Sequence, residues 1–321
     1  MAHDHILTDR SRIETFLECP QKRHIRYTLN RSSEPGPDLR FGIAIHEALA
    51  NMLTNGSPIT PSDPELPPSY TVTGMGLLHA AQGVIAHLRK EYEILSIELE
   101  EEPLPLNHEV RLMTRFDAVL RRNSDGLAFV LNWKTTSDIK RFAYFAEPGL
   151  QALLEPIALG IKLGEPVGLI LIGLSKGRKE RREKGALPYL VNPFSRVYVN
   201  DSELARSTAP IRRKEWRRHD VSPDEMPAHL RWLTANNPEA FTSSIAHPVV
   251  IIPPRWKQEL ATAEAIEIEH LAGKGVTFHN WSSCRTVMGE CEFFDCCHQG
   301  LDPMELFPER VPNHPAEELN K

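Results

Sequence analysis

The sequence predicts an α/β fold in which a central mixed sheet is flanked by helices. Three observations carry that prediction. Three stretches in the first third of the chain repeat apolar residues at helical spacing. Further on, two strand-like runs are separated by Asn123-Ser124-Asp125-Gly126, a hairpin turn signal. Beyond them "VGLILIGL", residues 167–174, is apolar on both faces, which suits a strand covered on both sides.

Each element follows in order. Ser11-x-x-Glu14 reads as a capping box, and Ile13, Phe16 and Leu17 continue it as a helix to about Cys19. Pro20 interrupts there, so a second short helix leads to Tyr27. After the loop "RSSEPGPD", residues 41–53 form an amphipathic helix carrying His46. A proline-rich connection over 58–68 precedes a long helical stretch over 75–98. Residues 108–122 and 127–137 are the two antiparallel strands of the hairpin, and "PGLQALLEPIALGIKLG" is a helix despite Pro156. The strand 167–174 comes next, "FSRVYVN" adds an edge strand, and "PAHLRWLTANN" and "RWKQELATAEAIEIEHLAG" are helices. The chain closes with a cysteine-dense segment and a polar, proline-rich tail, and it shows no internal repeat.

Bulk properties narrow the function. The chain has 321 residues, 41% hydrophobic and 25% charged, enough to bury a substantial core. No apolar run approaches the length of a membrane span or a signal peptide, so the expected compartment is the cytoplasm, with no membrane partner. A net charge of −6 excludes a general nucleic-acid coat but leaves room for a local basic groove. Two clusters have that composition: "SKGRKERREKG" with Lys176 and Arg178, and "IRRKEWRRH" with Arg212, Arg213, Trp216 and Arg217. Each is either a solvated loop or a surface that contacts phosphates and stacks a base.

The chemistry concentrates on "FVLNWKTTS", residues 129–137. A strand ending there delivers Asn132 and Lys134 onto one face. His46 on its helix, Asp117 within the preceding strand, Asn132 and Lys134, and then Gln151 opening a helix form an ordered series. The motifs "GIAIH", "RFDAV", "LNWKTT" and "LQALLE" in this order resemble the PD-(D/E)XK nuclease superfamily, specifically its RecB-like branch. The resemblance covers most of the chain. It implies a restriction-endonuclease-like core, with His46, Asp117 and position 132 around Mg²⁺ or Mn²⁺, Lys134 as catalytic lysine and Gln151 steadying the site. A hard divalent ion takes oxygen ligands and polarises the scissile phosphate, while a lysine acts on the attacking water and the developing charge.

Cysteine usage is a second signal. Four of the five cysteines lie in "CRTVMGECEFFDCC", residues 284–297, and the fifth is Cys19. In a cytoplasmic chain such a set points to metal rather than disulfides. One early cysteine before a proline, joined by a late C-x6-C-x5-C, resembles the iron-sulfur staple of RecB-like nucleases, including AddB-type and CRISPR-associated members. The implied ligands are Cys19, Cys284, Cys291 and Cys297, with Cys296 as the alternative to Cys297. Four thiolates suit Zn²⁺ equally well by ligand count, and the resemblance favours a 4Fe-4S cluster. The resemblance also implies one nuclease domain over residues 1–321. Its core would span about 40–200, with segments at about 11–30 and 275–300 joined at the cluster.

The sequence departs from the family at position 132, where Asp or Glu is expected. Asn132 keeps a carbonyl oxygen but removes a negative charge, so metal binding and cleavage are expected to suffer. Glu155 stands where a tyrosine often follows the glutamine, Arg115 replaces a small residue, and a usual proline near the first Asp is absent. The expected function is metal-dependent hydrolysis of DNA, exonucleolytic on single strands or duplex ends, in recombination, repair or phage-type DNA processing. Recombination or replication proteins are the expected partners. This form is expected to be inactivated or weakened by Asn132, and the alternative is a non-catalytic DNA-binding or scaffold subunit.

Overall fold

The computed structural model describes residues 5–56, 61, 63–139, 142, 149–180, 189–211, 213–245, 248–286 and 289–320. The helices that build the core are α1 (Arg10–Glu18), α2 (Pro37–Asn55), α3 (Pro68–Glu91), α4 (Gln151–Leu163) and α5 (Arg255–Gly273). The central sheet has five strands: β1 (Tyr92–Glu100), β2 (Arg115–Arg122), β3 (Ala128–Thr136), β4 (Val167–Ser175) and β5 (Val249–Ile251). Their spatial order is β5-β4-β3-β2-β1. The pairs β1/β2, β2/β3 and β4/β5 are antiparallel and β3/β4 is parallel, so the sheet is mixed as expected. Among the described residues no helix is long and apolar enough to cross a membrane.

Local chemistry explains the connections. The β2–β3 hairpin turns at Gly126, whose φ of +73° suits a residue without Cβ, and Asp125 accepts a hydrogen bond from the Leu127 amide. Parallel β3 and β4 need a crossover, and α4 supplies it. That helix ends at Gly164 in the left-handed conformation.

Alternation along β3 divides the core. Phe129, Leu131 and Trp133 face α2 and α3 together with Leu120 and Ile172. Ala128 and Val130 join Val119, Leu169 and Leu171 in the layer beneath α1, α4 and α5. Phe129 is fully buried, and its removal as Phe129→Ala would cost about 3–5 kcal/mol.

The structure corrects several expectations. The helix expected over 75–98 ends at Glu91, because Tyr92–Glu100 pairs with β2 as the sheet's edge strand. The side chain that caps α1 is Asp9, which accepts from the Arg12 amide at 2.8 Å, and Ser11 lies inside the helix. The run expected as one strand over 108–122 is split. Val110–Leu112 pairs with Ile6–Thr8 and Leu104–Pro105 in a separate sheet. The strand expected at an edge, Arg196–Asn200, is the middle of another three-stranded sheet, between Ala205–Ser207 and Arg217–Asp220. Beyond residue 200, β5 pairs with β4 and α5 joins the layer beneath the central sheet.

The two ends of the chain meet. Asn280 donates to the Glu18 carbonyl at 2.8 Å, the Arg310 amide donates to the Asn30 carbonyl at 2.9 Å, and Arg26 pairs with Glu292. Glu317 accepts from Arg12 at 2.6 Å and also from Arg310, while both guanidinium groups lie over the Tyr27 ring. Buried Glu269 accepts from Thr8 at 2.7 Å and from Arg23 at 2.5 Å.

Candidate functional site

The start of β2 and the end of β3 lie side by side in the antiparallel hairpin, and there Asp117 meets His46 and the backbone of β3. One Asp117 carboxylate oxygen stands 3.2 Å from His46 Nδ1, reached from α2. The other accepts from the Trp133 amide at 2.7 Å. Burial alone would raise the Asp117 pKa, but the hydrogen bond and charge of His46, the charge of Lys134 and the Trp133 amide together hold it below the usual range. Burial pushes the Lys134 ammonium below the ordinary lysine value, and Arg10 adds to that. The carboxylates of Asp117, Glu155 and Glu14 act in the opposite sense.

Asn132 points into the layer beneath α4, where it is only 3% exposed. Its Nδ2 donates to both carboxylate oxygens of Glu155, each at 3.4 Å, and Glu155 itself is only 7% exposed. The Asn132 Oδ1 is buried without a hydrogen-bond partner. Glu155 thus belongs to the constellation, whereas from sequence it stood only as a departure at a tyrosine position. The available signal was its place one helical turn after Gln151. Gln151 opens α4, and its side chain lies outside the described residues.

Both predicted basic clusters lie apart from this hairpin in sequence. Lys176 pairs with Asp38 at 2.8 Å, Arg217 with Asp201 at 2.9 Å and Arg218 with Asp220 at 3.4 Å. Arg213 is exposed and Trp216 half-buried. Arg212, residues 181–188 and the side chain of Arg178 lie outside the described residues.

The cysteines gather where the chain ends meet. The Cys291 amide donates to the Cys284 carbonyl at 2.8 Å, and the Gln21 amide, two residues after Cys19, donates to Phe278 at 3.3 Å. Burial first, then Cys284, Cys19, Cys291 and Cys296, push the Cys297 thiol up to about 11. Cys296 packs with Ile25 and Phe293, Cys291 and Cys297 lie against the same cluster, and the Cys296 thiol is raised by burial first and then by Asp295. Among the described residues, no three or more His, Cys, Asp or Glu side chains stand as a ready-made metal cage.

The model of the PD-(D/E)XK nuclease superfamily matches residues 10–298. The chain belongs to the PD-(D/E)XK nuclease superfamily. No functionally curated protein matches the sequence. A crystal structure from Eubacterium rectale, described as a candidate exonuclease, is similar at 8% identity and a TM-score of 0.36, covering 77% of this chain and 84% of that one. The assignment rests on the family match.

PD-(D/E)XK nucleases generally use Mg²⁺ or Mn²⁺. The donor types at the hairpin suit such an ion: the part-buried Asp117 carboxylate, the buried Glu155 carboxylate, and an amide oxygen left without a partner. The cysteines at the chain ends are donors of the type a thiophilic group takes, and among the described residues they form no ready-made cage.

Proposed function

We propose that the chain is a metal-dependent deoxyribonuclease, an exonuclease acting on single strands or duplex ends in recombination, repair or phage-type DNA processing. The observation that carries this reading is the Asp117 carboxylate, held by His46 and the Trp133 amide and close enough to Lys134 for their charges to interact. His46, Asp117 and Asn132 would hold Mg²⁺ or Mn²⁺, Asn132 through its carbonyl oxygen. A bound ion supplies Lewis acidity to the scissile phosphate and lowers the pKa of water.

The chain's own residues supply the rest. The His46 and Trp133 contacts fix the carboxylate of Asp117 so that its orientation costs nothing at the moment of reaction. Lys134 would orient the attacking water and offset charge developing on the phosphate. Burial holds its ammonium below the ordinary lysine value. Gln151 would steady the site from α4, and Lys176, Arg178, Arg212, Arg213, Trp216 and Arg217 would draw the DNA in.

Cys19, Cys284, Cys291 and Cys297 would hold a 4Fe-4S cluster, with Zn²⁺ as the alternative, and fasten the two chain ends. What supports Cys297 is the electrostatic interaction of its thiol with Cys284, Cys19 and Cys291, while Cys296, which interacts with Cys291, is the alternative. A recombination or replication protein is the partner this reading implies.

One observation favours a second reading, a non-catalytic DNA-binding subunit or a weakened enzyme: the amide at position 132 takes a charge from the family's acidic position. End-labelled DNA incubated with Mn²⁺ separates the two. Cleavage by the natural chain that Asp117→Asn abolishes supports a nuclease, and DNA binding without cleavage supports the subunit.

A further inference from the structure

The acidic position of the motif is filled by an amide, yet the space beside that amide is not neutral. Glu155, one residue beyond Leu154 in the apolar layer, brings a carboxylate across from α4 to the Asn132 side chain. At 3.4 Å the two contacts are longer than an ordinary N–H···O bond of about 2.9–3.0 Å, so the amide abuts the carboxylate without gripping it. The opposite end of the same amide, Oδ1, is buried and unpartnered, a state that is costly for a polar atom unless something binds it.

We infer that Glu155 supplies the carboxylate that position 132 lacks, so that Asp117, Glu155 and the Asn132 carbonyl form the oxygen set for one divalent cation. This inference rests on the nuclease reading. The Asn132 amide meets the Glu155 carboxylate through Nδ2 and leaves Oδ1 for the ion. The acid has been exchanged between strand and helix. Lys134 senses both carboxylates, which places Glu155 within the field of the catalytic lysine. Asn carbonyls and carboxylates are together the ligand types of a hard cation.

The test is Mn²⁺ binding by titration calorimetry with the full chain and no DNA, alongside thermal melting without metal. The natural chain binds, Asp117→Asn weakens binding, and Glu155→Gln weakens it by at least about tenfold. The double variant Asn132→Asp with Glu155→Gln, which returns the acid to the strand, recovers the natural affinity. Glu155→Gln that melts normally and binds Mn²⁺ as the natural chain does overturns the assignment of Glu155 and leaves the nuclease reading standing. Should Glu155→Gln fail to fold, the folded double variant decides: binding supports the exchange and no binding overturns it. A natural chain without Mn²⁺ affinity overturns the inference together with the reading beneath it.

Discussion

The side-chain nitrogen of Asn132 stands 3.4 Å from each carboxylate oxygen of Glu155, across the seam between β3 and α4. This contact reverses what Asn132→Asp should do. By sequence the substitution repairs the motif, but beside Glu155 it sets two carboxylates in one buried site. The pair should take up a proton, its folded pKa rising above the unfolded carboxylate value. A raised carboxyl pKa contributes stability at low pH that is lost as pH rises through it. Thermal melts of Asn132→Asp should therefore fall further below the natural chain at pH 8 than at pH 5, and cleavage should not increase.

The cluster segment gives the second prediction. Cys19→Ser and Cys284→Ser should each release metal and lower the melting temperature, because each would remove one of four ligands linking residue 19 to the segment after 280. Cys296→Ser should be milder than Cys297→Ser. Metal content and visible absorption of anaerobically purified protein check this, with a broad iron-thiolate band expected from the natural chain. Full metal occupancy in all four variants would remove the cluster from the account.

DNA affinity should fall with salt, and the second basic cluster should carry part of the slope. Replacing Arg213, Arg217 and Arg218 with Ala should flatten log K against log salt by roughly 0.7–0.9 for each phosphate no longer neutralised. Arg217 and Arg218 already pair with Asp201 and Asp220, so they must trade those partners for phosphate, and Arg213 should contribute most. Trp216→Ala should cost about 1–3 kcal/mol of binding if a base stacks on it. An unchanged slope would move the DNA path elsewhere.

The tail clamp has a pH signature. Burial would raise the Glu317 pKa, but Arg310 and Arg12 outweigh it and hold it below the ordinary 4.5. The stabilisation is then complete above that value and is lost as pH falls through the lower folded value. Glu317→Gln should cost about 3–5 kcal/mol at neutral pH, since it leaves two arginines facing an amide. The gap between the melts of the two proteins should be full at pH 7 and should narrow as pH falls below 4.5.

Much of this was legible because it was local or periodic. The Asn-Ser-Asp-Gly turn specified the hairpin, and the unbroken apolar run of Val167–Leu174 specified a doubly covered strand. The order His46, Asp117, Lys134 identified the family and the residues that meet. Tyr92–Glu100 misled because Ile94, Leu95 and Ile97 also satisfy helical spacing, and only pairing with Arg115–Arg122 decides for strand. Glu155 was hidden for another reason. Its partner lies 23 residues away, and nothing in composition reveals that packing of Leu154 and Ala158 on the sheet turns Glu155 toward Asn132. Adjacent Cys296 and Cys297 cannot be ranked by sequence spacing, and both lie against the cluster of Ile25 and Phe293.

The most direct measurement is the single-turnover rate at which the natural chain degrades end-labelled single-stranded and duplex DNA with Mg²⁺ or Mn²⁺, against Asp117→Asn and Lys134→Ala. The account predicts cleavage that a chelator stops, that Asp117→Asn abolishes, and that Lys134→Ala slows by about 10²-fold or more with DNA affinity little changed. A natural chain that binds both DNA forms and cuts neither with either ion would contradict it.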